Sequence, residues 1–157
     1  MAIHYFTYET AMGDLTLFSR DGKIIFVNFG ERSIASGTRE EDETLLLAIK
    51  EINQFFFGQR KDFDVPLDPL GDEEEKKILL AAQEVGYGEV SSYEAIAKKT
   101  GLPLEKVEKT LLENPCPFFV PCHRIVHADR RIGGYIGGQE NKVKLLKLEK
   151  ANAARLI

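Results

Sequence analysis

The sequence predicts an α+β chain in two parts: a small antiparallel sheet with one helix over residues 1–70, then an all-helical part over residues 71–157 that contains a helix-turn-helix. Three observations carry this. Runs of β-branched and aromatic residues crowd the first thirty positions, whereas the spacing after Asp72 is helical. Pro66, Pro69 and Gly71 interrupt the chain between the two parts. Charge divides in the same sense: residues 1–70 hold 7 basic and 12 acidic side chains, a balance of −5, and residues 115–157 hold 8 and 3, a balance of +5. The basic end is either a face for a polyanion or an ordinary solvated surface, and charge alone does not decide between them.

Residues 3–9, 14–18 and 23–29 read as strands, separated by Ala11-Met12-Gly13 and Arg20-Asp21-Gly22. Asp21-Gly22 is a strong hairpin signal because glycine accepts positive φ. Ser33 to Thr38 is small and polar and reads as a loop. Glu40 to Phe57 reads as a helix with Leu45, Ala48, Ile49, Ile52, Phe55 and Phe56 on one side and Gly58 as its stop. Alternation at Phe63, Val65 and Leu67 allows one more edge strand; beyond Asp72 the pattern shows none. Asp72 to Val85 reads as a helix opened by acids and broken by Gly86-Tyr87-Gly88. Ser92 caps a helix that Gly101 ends, and Leu102-Pro103 starts another that runs to Glu113. Gln139 to Ala154 reads as the last helix, with Val143, Leu145, Leu146 and Leu148 inward and the lysines outward.

With 43% hydrophobic residues in 157, and no apolar run of membrane-spanning length, the chain reads as globular. The start, MAIHYFTYET, lacks the basic segment and apolar core of a secretion signal. Two cysteines and no such signal point to a reducing cytoplasm.

The chemistry concentrates in Asn114 to Gly138, which holds both cysteines and two of the three histidines. At its centre stands Pro121-Cys122-His123-Arg124. A free thiol titrates near ~8.5, and neighbouring cations favour the nucleophilic thiolate. Prolines at 115, 117 and 121 make a stiff approach to the cysteine. Cys116, between two prolines, reads as a small buried hydrophobe. Cys116, Cys122, His123 and His127 match neither a zinc finger nor a zinc ribbon, so no metal is expected. A cysteine hydrolase takes its base from a distant part of the sequence; an adjacent histidine points the other way and needs a relay.

Tyr87-Gly88-Glu89-Val90, Ser92-Tyr93, Asn114-Pro115, Pro121-Cys122-His123-Arg124, Gly133-Gly134-Tyr135, Gly137-Gly138 and Glu149 together resemble the O6-alkylguanine-DNA alkyltransferases in order and spacing. The resemblance is dense over about the last 70 residues; the front half matches in size and in its strands-then-helix order. It implies single-use transfer of an alkyl group from O6 of guanine in double-stranded DNA to Cys122, with minor activity on O4-alkylthymine, after the lesion is flipped from the stack. It implies no cofactor and a monomer. By the same resemblance, His123 deprotonates Cys122 through a water and Glu149 orients His123. Tyr93 protonates the departing guanine and displaces a phosphate. Asn114 is a hinge, and Tyr135 covers the lesion pocket. Ile136 and Gly137 offer backbone to the base, and Arg124 lies on the DNA side.

Two departures stand out. Where the family carries an arginine that fills the gap left by the flipped base, this chain has Glu105; either Lys106 beside it substitutes or the duplex is held differently. Where the family commonly has serine, this chain has Ile136. The alternative functions are an alkylated-DNA-binding module that flags lesions without taking the alkyl group, whose members lack the nucleophile present here as Cys122, and a hydrolase that regenerates its thiol.

Overall fold

The computed structural model describes residues 2–153. These fall into two compact units, Met1–Leu70 and Gly71–Ile157.

The first unit is built on a four-stranded sheet. Strands β1 (Ile3–Thr10), β2 (Gly13–Arg20) and β3 (Lys23–Phe29) form an antiparallel meander. Asp21 and Gly22 both take positive φ, 54° and 74°, so the second hairpin closes with the twist its strands require. Helix α1 (Glu43–Phe56) is capped by Asp42, whose side chain accepts from the Leu45 amide. It buries Leu45, Ala48, Ile52 and Phe55, and the sheet contributes the fully buried Leu15, Leu17 and Val27. Two expectations change here. A three-residue strand, β4 (Gly37–Arg39), runs parallel to β1 and takes in the end of the stretch read as a loop, so the sheet is mixed. Three residues show no alternation; the open edge of β1 supplies the pairing. The edge strand allowed at 63–67 reduces to one bridge, Ile24 to Leu67, because Pro66 has no N–H to extend a ladder.

The second unit carries helices α2 (Glu73–Gln83), α3 (Tyr93–Thr100), α4 (Leu104–Leu112) and α5 (Gln139–Asn152). Asp72 and Glu75 form a reciprocal capping box on α2. Ser92 caps α3, and Gly101, at φ 72°, ends it. Helices α2, α3 and α4 pack on one another through Ile78, Leu79, Ala82, Ile96, Val107 and Leu111. The unit is not wholly helical. Ser91–Ser92 (β5) and Ile125–Val126 (β6) pair in parallel, a two-residue ladder too short for any sequence pattern to mark. The inward face of α5 also differs from expectation. Its buried positions are Lys142, Leu145, Glu149 and Asn152, while Val143, Leu146 and Leu148 are only half-buried. Hydrophobicity misplaced this face because it forms the wall of a polar site. Ala154, expected at the helix end, lies outside the described residues. Among the described residues no helix is long and apolar enough to cross a membrane.

Candidate active site

The site lies within the second unit and begins where α4 stops. Asn114 is fully buried, and its amide organises the turn that follows. Oδ1 accepts from the Cys116 N–H at 3.0 Å, and Nδ2 donates to the Val120 carbonyl at 2.9 Å and to Cys122 Sγ at 3.0 Å. The Cys122 N–H reaches back to the Val120 carbonyl at 2.8 Å across Pro121, whose φ of −79° and ψ of 62° are those of an inverse γ-turn. A single 3-10 turn, Cys122–Arg124, then aims three consecutive side chains.

The thiol does not meet its sequence neighbours as expected. His123 and Arg124 both turn toward Glu149 of α5. His123 Nε2 lies 2.6 Å from Glu149 Oε2. Arg124 donates from Nε to Oε1 at 2.8 Å and from Nη2 to Oε2 at 2.9 Å, a bidentate clamp, and from Nη1 to the Val85 carbonyl at 2.7 Å. The Gly88 N–H adds a longer contact to Oε1 at 3.3 Å. Gly88 is required there: its φ is 79°, and a Cβ would stand 2.7 Å from that of Ala153. Arg124, expected on the DNA side, is therefore buried and holds Glu149 in place.

Burial sets the protonation states. It pushes the Cys122 thiol up to about 11, against the Asn114 hydrogen bond and the positive charge of Lys142. This corrects the expectation that adjacent cations make a resting thiolate, because Arg124 is spent on Glu149. Burial lowers His123, which outweighs its bond to Glu149, so its imidazole is neutral at pH 7 and able to take a proton. Burial alone would raise Glu149, but the bonds from His123 and Arg124 hold its carboxyl below the usual range. Neutral imidazole beside ionised carboxylate is the state a general base needs.

A second cluster faces the thiol from α5. Lys142 is fully buried, and its Nζ donates to the Tyr93 hydroxyl at 3.1 Å, to the Ile132 carbonyl at 2.6 Å and to the Gly134 carbonyl at 3.1 Å. Burial brings Lys142 down to about 8 despite the pull of Cys122, and burial raises the Tyr93 phenol to about 12. Gly133, at φ 80°, lets the chain pass the Tyr93 ring; a Cβ would stand 2.7 Å from its hydroxyl. Tyr135 is buried with its ring edge-on to His123, centroids 6.4 Å apart. Ile136 and Gly137 follow it, half-buried.

Residues 73–151 match the family described as 6-O-methylguanine DNA methyltransferase, DNA binding domain, and residues 3–69 match its ribonuclease-like domain. The methylated-DNA–protein-cysteine methyltransferase of Methanosarcina acetivorans is 34% identical over 153 residues, covering 94% of this chain and 98% of the relative. The chain belongs to the methylated-DNA–protein-cysteine methyltransferase family. The O6-methylguanine methyltransferase of Mycobacterium tuberculosis superposes with a TM-score of 0.85 at 31% identity, over 96% of this chain and 94% of that one. A structure of the same protein in complex with DNA gives 0.86 over 95% and 94%. Set in this methyltransferase frame, Cys122, His123, Glu149, Asn114, Tyr93 and Tyr135 gather in one buried cluster, whereas Glu105 and Lys106 stand apart from it. Glu105 is exposed on α4. The Lys106 ammonium lies 3.6 Å from Asp72 and 3.8 Å from Glu74, directed at the start of α2, so it is not the free cation the sequence offered. Lys142 is the residue that sequence reading missed. The signal was present: 142, 145 and 149 share a helical face, so an inward Glu149 brings Lys142 inward. Among the described residues Cys116, Cys122, His123 and His127 do not gather as a metal-binding group.

Proposed function

We propose that this protein repairs O6-alkylguanine in double-stranded DNA by moving the alkyl group to Cys122 Sγ, once per molecule. The observation that carries this reading is the buried neutral His123 bonded to an ionised, Arg124-clamped Glu149, directly after a protonated thiol. Such a thiol needs a base when it reacts rather than before. Glu149 takes His123 Nε2, so the proton leaves Cys122 through a bridging water to the imidazole's Nδ1. Sulfur then bonds to the alkyl carbon, the carbon–O6 bond breaks, and its electron pair returns to the guanine. Tyr93 gives the purine the proton that neutralises it. Lys142, 3.1 Å from the phenol and far the stronger acid, restores that proton. The thioether has no route back to a thiol, which makes the reaction stoichiometric.

All of these groups come from one chain, which fits a monomer, and none of the steps draws on a cofactor. O4-alkylthymine presents the same alkyl–oxygen bond and is a minor substrate. Two reduced thiols fit a reducing cytoplasm. A lesion-flagging module has no use for a nucleophile with its own base, so the alternative is not favoured. The test is incubation with DNA carrying methylated guanine, followed by mass spectrometry. One methyl on Cys122, no turnover, and loss of transfer in Cys122→Ala but not in Cys116→Ala are expected. Methyl on Cys116, or catalytic release of product, would refute the reading.

A further inference from the structure

The α3–α4 pair is poorly charged for gripping DNA. Two of its cations are engaged by acids, Lys99 by Glu84 and Lys106 by Asp72 and Glu74, and Glu105 is exposed. Another element of the same unit is better suited. After β6 the chain makes a tight turn, closed by the Arg130 N–H on the His127 carbonyl and the His127 N–H on the Arg131 carbonyl, both 2.9 Å. Arg130 sits at its tip with φ 73°, a left-handed conformation that ordinarily goes to glycine or asparagine. An exposed arginine held in that conformation is strained, and strain that packing does not demand points to function. The turn is also docked beside the reacting groups. The His127 ring lies 4.7 Å from the Tyr93 ring, and the Ala128 N–H donates to Glu94 in the first turn of α3 at 3.2 Å. Arg131 donates through Nε to Asp129 at 2.7 Å, which engages one of the three guanidinium nitrogens where a lysine has only one, and it lines an open hollow of about 640 Å³ together with His127 and Gly133.

Resting on the function proposed above, we propose that the turn from His127 to Arg131 is the phosphate clamp of this protein: Arg130 and Arg131 hold the DNA backbone beside the extrahelical nucleotide, in place of cations on α4. A guanidinium presents a planar fork of donors that matches phosphate oxygens, and the docking on Tyr93 and α3 fixes where the fork stands. The strain at Arg130 is the cost of putting that fork at a tip where glycine would sit at ease.

The test measures affinity for a lesion-bearing duplex against salt concentration, using the full chain. Each phosphate neutralised adds about 0.9 to the slope of log affinity on log salt. Arg130→Gly, whose backbone fits the turn without strain, is expected to keep or raise the melting temperature while lowering the slope by about 0.9, close to an eightfold loss at 0.1 M relative to 1 M salt. Arg130→Asn should give the same slope change, and Arg130→Gly with Arg131→Gln about twice it, near sixtyfold. Lys98→Gln on α3 with Lys109→Gln on α4 should change the slope less than the arginine pair. An unchanged slope in the arginine variants, or a larger change from the α3 and α4 lysines, overturns the clamp. Methyl transfer to Cys122 is followed in the same wild-type samples. Transfer with an unchanged slope in the variants refutes the clamp alone, whereas absence of transfer refutes the functional reading.

Discussion

Glu149→Gln tests the relay at its most loaded point. The carboxylate accepts from His123 Nε2, twice from Arg124 and from the Gly88 N–H, with 1% of its surface exposed. Glutamine keeps the shape but removes the charge and turns an N–H₂ toward donors. Breaking one side of a buried ion pair costs about 3–5 kcal/mol, because the partner charge is left uncompensated. For a unit of this size each kcal/mol is worth about 4–8 °C in melting temperature, so a fall of at least about 12 °C is expected. Transfer should slow by about 10²–10⁴, the usual share of a positioned general base. His123→Gln should slow it by a similar factor, and the double variant should be hardly slower than the worse single one, because both act on one proton. The assay is the single-turnover rate of alkyl transfer to Cys122, measured below the melting temperature of every variant. Fully additive losses would refute the relay and leave Glu149 as a purely structural anchor for Arg124.

Three further outcomes are expected. Alkylation should lower the melting temperature, since a group added at a thiol only 4% exposed overpacks its site by about 1–3 kcal/mol and disturbs the Asn114 bond; an unchanged or raised value in calorimetry rejects this. The transfer rate should fall as pH rises through about 8, because the Lys142 cation is present below that value and lost above it, and Lys142→Met should be slower and lack this fall. A wild-type rate that climbs steadily toward pH 11 would instead mean that thiol ionisation alone limits the reaction. Glu105→Arg should strengthen duplex binding and speed repair of duplex DNA, while Lys106→Ala should leave the salt dependence nearly unchanged because Lys106 already faces Asp72 and Glu74; slower duplex repair by Glu105→Arg would show that α4 does not enter the groove.

Much of this protein was legible in one dimension because local rules governed it. Asp21-Gly22 closed its hairpin, Ser92 and Gly101 bounded α3, and the prolines kept the approach to Cys122 non-helical. Each depends on residues within a few positions of one another, where turn and capping chemistry act without help. The short ladders β4 and β5–β6 were not legible, because an open edge elsewhere in the chain creates them.

The sequence by itself determined the strands-then-helices order, Cys122 as the candidate nucleophile and most of the side chains gathered near it, though not Lys142. Only the tertiary structure decided what those side chains do to one another. Adjacency in sequence suggested that His123 and Arg124 would ionise Cys122; a carboxylate 25 residues beyond Arg124 takes both instead. Hydrophobic spacing put every lysine of α5 in solvent; the carbonyls of Ile132 and Gly134 and the hydroxyl of Tyr93 bring Lys142 inside. Charge and proton affinity depend on burial and on partners met across the fold, and those are settled by packing rather than by neighbours along the chain.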